Sequence, residues 1–149
     1  MNVSELTTDQ KGAIAEAEIA AAAIKLGAGV FKPLSDGERY DLIFDLRPRL
    51  MRVQCKTAVL KGSVLAVPFY SARRCRDGFM KKFYSATEID AIAAYNIDLD
   101  RSYFIPFDET RSRAYLQLRL DPCRNNQQIG VNWAADFDFT ARLRTLLGP

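Results

Sequence analysis

Hydrophobic and polar residues alternate through positions 40–57, YDLIFDLRPRLMRVQCKT, and this alternation predicts two short strands joined by a tight turn at 47–49. The apolar rows are Leu42, Phe44 and Leu46 on the first strand, and Met51, Val53 and Cys55 on the second. Asp41 begins the polar row of the first strand, and Gln54 and Lys56 share the polar face of the second. The hairpin should therefore bring a carboxylate, an amide and an ammonium group together.

The remaining pattern predicts three helices and four further strands. An alanine-rich helix is expected at 7–26, with Thr7 and Gln10 as a capping box and a sheet-packing stripe of Ile14, Ala17, Ala21 and Ile24. Strands are expected at 29–34, 64–70, 102–107 and 114–120, and helices at 85–95 and 132–147. Residues 71–82 are basic, with a turn at Asp77–Gly78. This order predicts one α/β domain around a mixed sheet, spanning residues 1–149.

Composition narrows the class of protein. The chain has 149 residues, of which 48% are hydrophobic, so it is long and apolar enough for a substantial core. It has no apolar run of the roughly 18 residues that a membrane span needs, and its first residues lack a signal-peptide layout. We therefore expect a soluble, cytoplasmic protein without a membrane partner. No GxGxxG or GxxxxGK motif is present, which argues against a nucleotide-binding loop.

The absence of histidine restricts the chemistry. Without histidine, the chain excludes Ser-His-Asp and Cys-His catalytic units and histidine-ligated zinc. Cys55, Cys75 and Cys123 are widely spaced and form no CxxC pair, so we expect reduced thiols. The net charge of +3 and the pI of 8.8 permit a polyanionic partner. Hydrolytic chemistry must use carboxylates, lysine, tyrosine and an oxygen-bound metal.

Glu16, Asp41, Gln54 and Lys56 together suggest a site for a metal ion held against a phosphate. Magnesium takes oxygen ligands, typically one or two carboxylates with water and substrate phosphate. Asp41 is the expected principal ligand, Glu16 on the first helix is a second ligand, direct or through water, and the backbone carbonyl of Cys55 is a third. Lys56 would neutralise charge near the scissile phosphate and orient, or help deprotonate, the attacking water. Helical spacing favours Glu16 over Glu18 for this position.

The order of these residues resembles that of the PD-(D/E)XK nuclease superfamily. The matching features are a helix acid (Glu16), a strand acid (Asp41) and Gln54-x-Lys56 on the next strand. The segments KGAIAEAEIAAAAIKLG, RYDLIFD, RVQCKTA and SATEIDAIAAYNIDLDRSYFIPFDE are most similar to the small bacterial subgroup that includes group I intron homing endonucleases. Gln54 stands where the general motif carries Asp or Glu, so this site has one negative charge fewer.

This resemblance implies a restriction-endonuclease-like core, a central mixed sheet flanked by helices. It also implies an Mg²⁺-dependent endonuclease, with Mn²⁺ as a possible substitute, that hydrolyses phosphodiester bonds of double-stranded DNA, and a catalytic set of Glu16, Asp41, Gln54 and Lys56. Because two strands must be cut by a small subunit with one site, it implies a homo-oligomer, a dimer or tetramer. The alternatives are a Holliday-junction-resolving or restriction-like nuclease, and a DNA-binding module without catalysis.

DNA contacts are expected from two groups of polar residues. The candidates for phosphate contact are Lys61, Arg73, Arg74, Arg76, Lys81 and Lys82. The candidates for reading bases are Gln117, Arg119, Arg124, Asn125, Asn126 and Gln127. A polar surface turn explains residues 124–128 equally well. Residues 111–149 are expected to be a C-terminal extension for DNA contact or oligomerisation.

Overall fold

The computed structural model describes residues 2–109, 114–123, 125–126 and 129–149. In chain order, their main elements are α1 (Thr8–Lys25), β1 (Gly29–Phe31), β2 (Leu42–Asp45), β3 (Leu50–Thr57), β4 (Val59–Lys61), β5 (Val64–Pro68), β6 (Tyr70–Cys75), β7 (Gly78–Phe83), β8 (Ala91–Asn96), β9 (Arg101–Pro106), β10 (Tyr115–Arg119) and α2 (Phe139–Leu147). Short 3-10 helices lie at Val3–Glu5, Phe107–Glu109 and Ala134–Phe137. In this described part of the chain, no helix is long and apolar enough to cross a membrane.

A mixed sheet forms the centre of the fold. Among the described residues its strand order is β1-β2-β3-β8-β9, with β3 and β8 parallel and the other neighbours antiparallel. A smaller sheet has the order β10-β5-β4, and β6 pairs with β7 as a separate two-stranded ribbon. This arrangement confirms the predicted α/β architecture with a central mixed sheet flanked by helices.

Two hydrophobic cores lie on opposite faces of the central sheet. The first joins α1 and α2 to the sheet and includes Ile19, Phe44, Val53, Phe104 and Leu143. The second joins the central sheet to the smaller sheet and includes Leu65, Val67, Ile92, Ile105 and Leu118. Residues of α2 and β10 thus belong to these cores. A role of residues 111–149 in DNA contact or assembly stays a prediction.

The predicted hairpin at 40–57 is confirmed. β2 and β3 pair antiparallel with Leu42 opposite Val53 and Phe44 opposite Met51. These four side chains are buried, as the alternation requires when one face of a strand packs against a core. Asp41 lies just before β2, and its N–H donates to the carbonyl of Val53 at 2.9 Å. The hairpin therefore places Asp41 level with Gln54.

Helix α1 has the predicted capping box between Thr7 and Gln10 but not the predicted packing face. Its buried residues are Ala15, Ile19 and Ala23. Ala17, Ala21 and Ile24 are exposed, and Ile24 retains 59% of its accessible surface. The prediction of that stripe was wrong because alanine occurs on nearly every side of the helix. The face carrying Ile19 packs on the sheet, and Glu16 stands beside that face.

The prediction of a helix at 85–95 was wrong, because residues 91–96 form β8. The Ser85 N–H donates to Glu88 Oε1 at 3.1 Å, which is one of the two contacts of a capping box. The N–H groups of Glu88 and Ile89 donate to the Ser85 carbonyl and close only a single turn. The N–H of Asp90 then donates to the backbone carbonyl of Arg52 at 2.9 Å, and β8 begins at the next residue. Every residue of β8 is buried because the strand has a core on each face. A short apolar run buried on both faces does not alternate, so periodicity cannot separate it from a helix.

The last helix begins later than predicted. α2 starts at Phe139, where Asp138 caps it by accepting the N–H of Ala141 at 3.0 Å. Asn132, the predicted start, lies outside the helix, and its carbonyl accepts the N–H of Arg119 at 2.8 Å. The strand expected at 114–120 is β10, which pairs antiparallel with β5. The strands expected at 29–34, 64–70, 102–107 and 114–120 are present, whereas β4, β6 and β7 were not predicted as strands.

We predict that Asp90→Asn lowers the free energy of unfolding by about 1.5–3 kcal/mol at neutral pH, the range for a hydrogen bond to a charged group. Asp90 Oδ2 accepts the N–H of Arg52 at 2.8 Å and its Nε at 3.1 Å, and Oδ1 accepts Nη2 at 3.1 Å. Burial raises the pKa of Asp90, but the hydrogen bonds and charge of Arg52 lower it below the usual value. Urea unfolding of the variant measures the loss.

The pH dependence follows from the lowered pKa of Asp90. Its stabilisation is complete above the unfolded-state pKa of about 3.9 and is lost as pH falls through the lower native value. The stability difference between wild type and Asp90→Asn should therefore shrink in that acidic range. Asp98→Asn, at an exposed position, is the control and should unfold like wild type. Equal stability of Asp90→Asn and wild type at pH 7 would contradict this account.

Candidate active site

Asp41 lies at the end of the central sheet where β2 begins. Its Oδ2 accepts the backbone N–H of Cys55 at 2.9 Å, which fixes the carboxylate against β3. Burial raises the pKa of Asp41. The Cys55 N–H opposes this rise, the charge of Glu16 adds to it, and the charges of Lys56 and Lys32 oppose it. A partly buried carboxylate beside a second carboxylate is a position where a cation is stabilised.

Lys56 approaches the same end of the sheet from β3. Its Nζ donates to the carbonyl of Tyr70 at 2.9 Å and lies 5.2 Å from the ring centroid of Tyr84. Burial lowers the pKa of Lys56, the charge of Asp41 opposes this, and the charge of Arg39 lowers it further. The hydrogen bond to Tyr70 gives the half-buried ammonium group a defined position.

Gln54 and Cys55 point to opposite faces of β3. Gln54 is half-buried on the face it shares with Lys56, whereas the Cys55 side chain lies in the core, where burial raises the pKa of its thiol. The thiol is therefore not a metal ligand. The N–H and C=O of one strand residue point to the same side, so the Cys55 carbonyl faces the side of the strand on which Asp41 lies.

Glu16, and not Glu18, is brought to Asp41. Glu16 Oε1 lies 2.6 Å from Nζ of Lys32, and both residues line an open cavity of about 150 Å³ with Asp41 and Tyr40. Glu18 lines a different cavity of about 500 Å³ between the two helices and β9. The structure thus assembles Glu16, Asp41, the Cys55 backbone, Gln54 and Lys56 around one end of the central sheet.

The donors at this end of the sheet fit a hard divalent cation. Two carboxylates and a backbone carbonyl are oxygen ligands of the kind Mg²⁺ and Mn²⁺ take, and Gln54 adds a neutral amide oxygen. Within the described residues, no group of three or more His, Cys, Asp or Glu side chains is arranged to hold a metal. A cation here would therefore complete its ligand set with water and substrate oxygens, which is usual for magnesium.

Comparison with known proteins gives the family. A family model described as PD-(D/E)XK endonuclease matches residues 6–140, which include the whole assembled site. The chain belongs to the PD-(D/E)XK endonuclease family. Among solved structures, a bacterial homing endonuclease, I-Ssp6803I, is similar, with 28% sequence identity, a TM-score of 0.74 and coverage of 93% of each chain. No curated protein sequence matches the chain. Membership of this family supports nuclease activity.

Beside the candidate site, most of the predicted phosphate-contacting residues lie on the β6–β7 ribbon. Arg73 and Arg74 are on β6, Lys81 and Lys82 are on β7, and Arg76 is in the turn between them. All five are exposed, and Lys61 is exposed at the end of β4. The register puts Arg74 and Lys81 on one face of the ribbon and Arg73 and Lys82 on the other.

The predicted base-reading residues are only partly described. Tyr115, Gln117 and Arg119 share the outer face of β10 and line a polar groove of about 320 Å³ with Asn132. Asn125 and Asn126 are exposed in the following loop, whereas Arg124 and Gln127 lie outside the described residues. Lys81 joins the ribbon to this surface, because its Nζ lies 4.6 Å from the Tyr70 ring centroid and 6.0 Å from that of Tyr115.

Sequence reasoning missed three neighbours of the site. Lys32 pairs with Glu16, Tyr84 lies under Lys56, and Arg39 stacks on Tyr84 with its guanidinium carbon 4.2 Å from the ring centroid. Arg39 carries the one available signal, because it stands two residues before Asp41 and side chains two apart share a side of an extended chain. Lys32 and Tyr84 come from elements that only the tertiary fold brings together.

Proposed function

We propose that this protein is a divalent-metal-dependent endonuclease that hydrolyses phosphodiester bonds of double-stranded DNA at specific sites, as a homing endonuclease does. The observation that carries the proposal is the grouping of Asp41, Glu16 and Lys56 around the Cys55 backbone at one end of the sheet. The likeness to a homing endonuclease over 93% of both chains supports the finer assignment.

The metal-holding residues in this proposal are Asp41, Glu16 and the carbonyl of Cys55. Mg²⁺, or Mn²⁺ in its place, would supply a Lewis acid that polarises the phosphoryl oxygen and acidifies water. Asp41 is held in place by the Cys55 N–H, so its second oxygen can bind without a change of rotamer. Gln54, being neutral, adds an oxygen without adding charge.

Lys56 has two roles in this proposal. Its ammonium group offsets the negative charge that accumulates on the phosphate, and its remaining N–H groups orient the attacking water. The bond to Tyr70 uses one of its three donors, which leaves two for the substrate. The partly desolvated surroundings strengthen both interactions relative to those in water.

DNA would bind along the ribbon and the outer face of β10. A two-stranded ribbon is narrow enough to enter the major groove, and its exposed arginines and lysines suit phosphate contacts. Gln117 and Arg119 carry side chains that pair with adenine and guanine edges, respectively. Their groove adjoins the ribbon through Tyr115, so phosphate contact and base reading would form one continuous surface.

A homo-oligomer completes this proposal. Each chain carries one such site, and cutting both strands of a duplex requires two sites. β1 is an edge strand of the central sheet, and its Phe31 keeps 57% of its surface exposed, which gives that edge an apolar group available for contact.

We predict that Arg74→Gln lowers the salt dependence of DNA binding by about 0.9 in log–log slope, the change for one lost phosphate contact. Arg74 is exposed on the ribbon face that also carries Lys81. Lys25→Gln is the control, because Lys25 lies at the end of α1 on the other side of the central sheet. Fluorescence anisotropy at several salt concentrations measures both slopes. An unchanged slope for Arg74→Gln would contradict the proposed phosphate contact on this face of the ribbon.

A substrate comparison tests the proposed function. Wild-type protein with Mg²⁺ is incubated with a library of randomised duplexes and with a four-way junction. Cleavage confined to related duplex sequences is the expected result. Preferential cleavage of the junction, whatever its sequence, would instead favour a junction-resolving nuclease. DNA binding that metal tightens without any cleavage would favour a non-catalytic binding module.

A further inference from the structure

Arg39 lies two residues before Asp41 and contacts the ribbon root, which is the end of the β6–β7 ribbon where Tyr70 pairs with Phe83. Its Nη1 donates to Ser71 Oγ at 2.8 Å, and its Nη2 donates to the carbonyls of Lys82 at 3.2 Å and Phe83 at 3.1 Å. These acceptors lie on both strands of the ribbon. One guanidinium group therefore holds β6 and β7 together at the end nearest the site.

The Arg39 guanidinium also contacts Tyr84, whose ring lies beside Lys56. Its plane approaches the Tyr84 ring, and Nε lies 3.0 Å from Glu88 Oε2, although it is not aligned to donate a hydrogen bond there. Lys56 approaches the same ring and donates to the carbonyl of Tyr70, the residue before Ser71. Arg39 and Lys56 thus hold adjacent residues of β6 and share one aromatic ring.

We propose that Arg39 is a positioning residue that sets the place of the Lys56 ammonium group by fixing the ribbon root. The proposal rests on the nuclease function given above, because it assigns Lys56 a role at the phosphate. The planar guanidinium reaches Ser71 from one terminal nitrogen and the two carbonyls from the other, and lysine at position 39 would keep the charge without this fork. The side chain of Arg39 is only 19% exposed, and its bond to Ser71 is partly buried.

Through Arg39, the position of DNA bound to the ribbon is coupled to the position of the Lys56 ammonium group. The exposed basic residues of the ribbon contact phosphate in the proposed function, and the ribbon root carries the carbonyl that holds Lys56. A ribbon fixed by Arg39 would place the DNA backbone and the ammonium group in one fixed relation. Loss of the fork would let the ribbon root shift, and a misplacement of about 1 Å is enough to cost on the order of 10²-fold in rate.

The test compares Arg39→Lys with wild type and with Arg142→Lys. Arg142 is a matched control because it also makes several polar contacts, to Asp136 and Glu109, and its side chain is 30% exposed. The primary readout is the rate at which Lys56 is reductively methylated in the free protein, measured by mass spectrometry. Because lysine keeps the charge at position 39, a change in this rate reports geometry rather than charge.

We expect Lys56 to be methylated faster in Arg39→Lys and at the wild-type rate in Arg142→Lys. Single-turnover cleavage at saturating DNA should fall by about 10- to 100-fold in Arg39→Lys. Ser71→Ala, which removes one acceptor and leaves Arg39 in place, should change both readouts in the same direction by less. This variant also serves if Arg39→Lys fails to fold.

Unchanged Lys56 methylation in folded Arg39→Lys and Ser71→Ala would overturn the proposal, even if stability fell, because Arg39 would then only support the fold. The methylation readout does not depend on nuclease activity. If the wild-type protein cleaves no DNA while methylation still rises in Arg39→Lys, the proposed function fails and the contact between Arg39 and the Lys56 environment stands.

Discussion

Asp41→Asn is expected to lower the rate of DNA cleavage by about 10³-fold or more, because a ligand charge worth several kcal/mol in the transition state is removed. Asparagine keeps the shape of the side chain, and its carbonyl oxygen can still accept the Cys55 N–H. The variant should therefore fold like wild type. Binding of Mn²⁺, followed by electron paramagnetic resonance, should weaken in parallel with cleavage.

The control for this variant is Asp45→Asn. Asp45 lies on the same strand, and its Oδ1 accepts the N–H of Arg47 at 2.9 Å, so it is also a hydrogen-bonded aspartate of β2. It stands at the other end of the strand from Asp41, and we expect it to cleave DNA at the wild-type rate. Wild-type cleavage by Asp41→Asn would show that the carboxylate at the sheet end takes no part in the reaction.

Lys56→Met is expected to lower the single-turnover cleavage rate by about 10²- to 10³-fold, the usual effect of losing one charge-stabilising donor. Methionine fills a similar volume but carries no charge. Two effects on stability oppose each other in this variant: it removes a charge that burial disfavours, as the lowered pKa of Lys56 indicates, and it loses the hydrogen bond to the Tyr70 carbonyl. Mn²⁺ binding should persist, since the oxygen ligands remain.

Three measurements separate this outcome from a general loss of structure. Urea unfolding gives the stability, Mn²⁺ binding reports the ligands, and cleavage reports the lysine. Lys25→Met, at an exposed helical lysine, is the control and should match wild type in all three. If Lys56→Met cleaves as fast as wild type, the ammonium group is not needed at the phosphate and the assignment of Lys56 is wrong.

The sequence predicts the hairpin, and the relative placement of three candidate site residues on it, for a local reason. Asp41, Gln54 and Lys56 lie on two strands joined by a short turn, so their side-chain rows and register follow from alternation alone. Glu16 comes from a helix that packs beside this hairpin, and both helical spacing and the family resemblance favoured it over Glu18.

The predictions that failed depend on tertiary structure. β8 is buried on both faces, so the segment around Ile92 has no alternation to mark it as a strand. The packing face of α1 could not be chosen from the sequence, because alanine occurs on every side of the helix. In the structure, the buried face carries Ile19 together with Ala15 and Ala23. The same limit applies to Arg39 and Tyr84, whose contacts join segments far apart in the chain.

The most direct test of the account is single-turnover cleavage of a duplex selected from the randomised library, with Mg²⁺ varied and EDTA as the blank. Wild-type protein and Asp41→Asn are compared on the same DNA. The account predicts Mg²⁺-dependent cleavage by wild type, its abolition by EDTA, and little or no cleavage by Asp41→Asn at any Mg²⁺ concentration. Cleavage that persists in EDTA, or that survives the loss of the Asp41 carboxylate, would contradict a metal-dependent site at this end of the sheet.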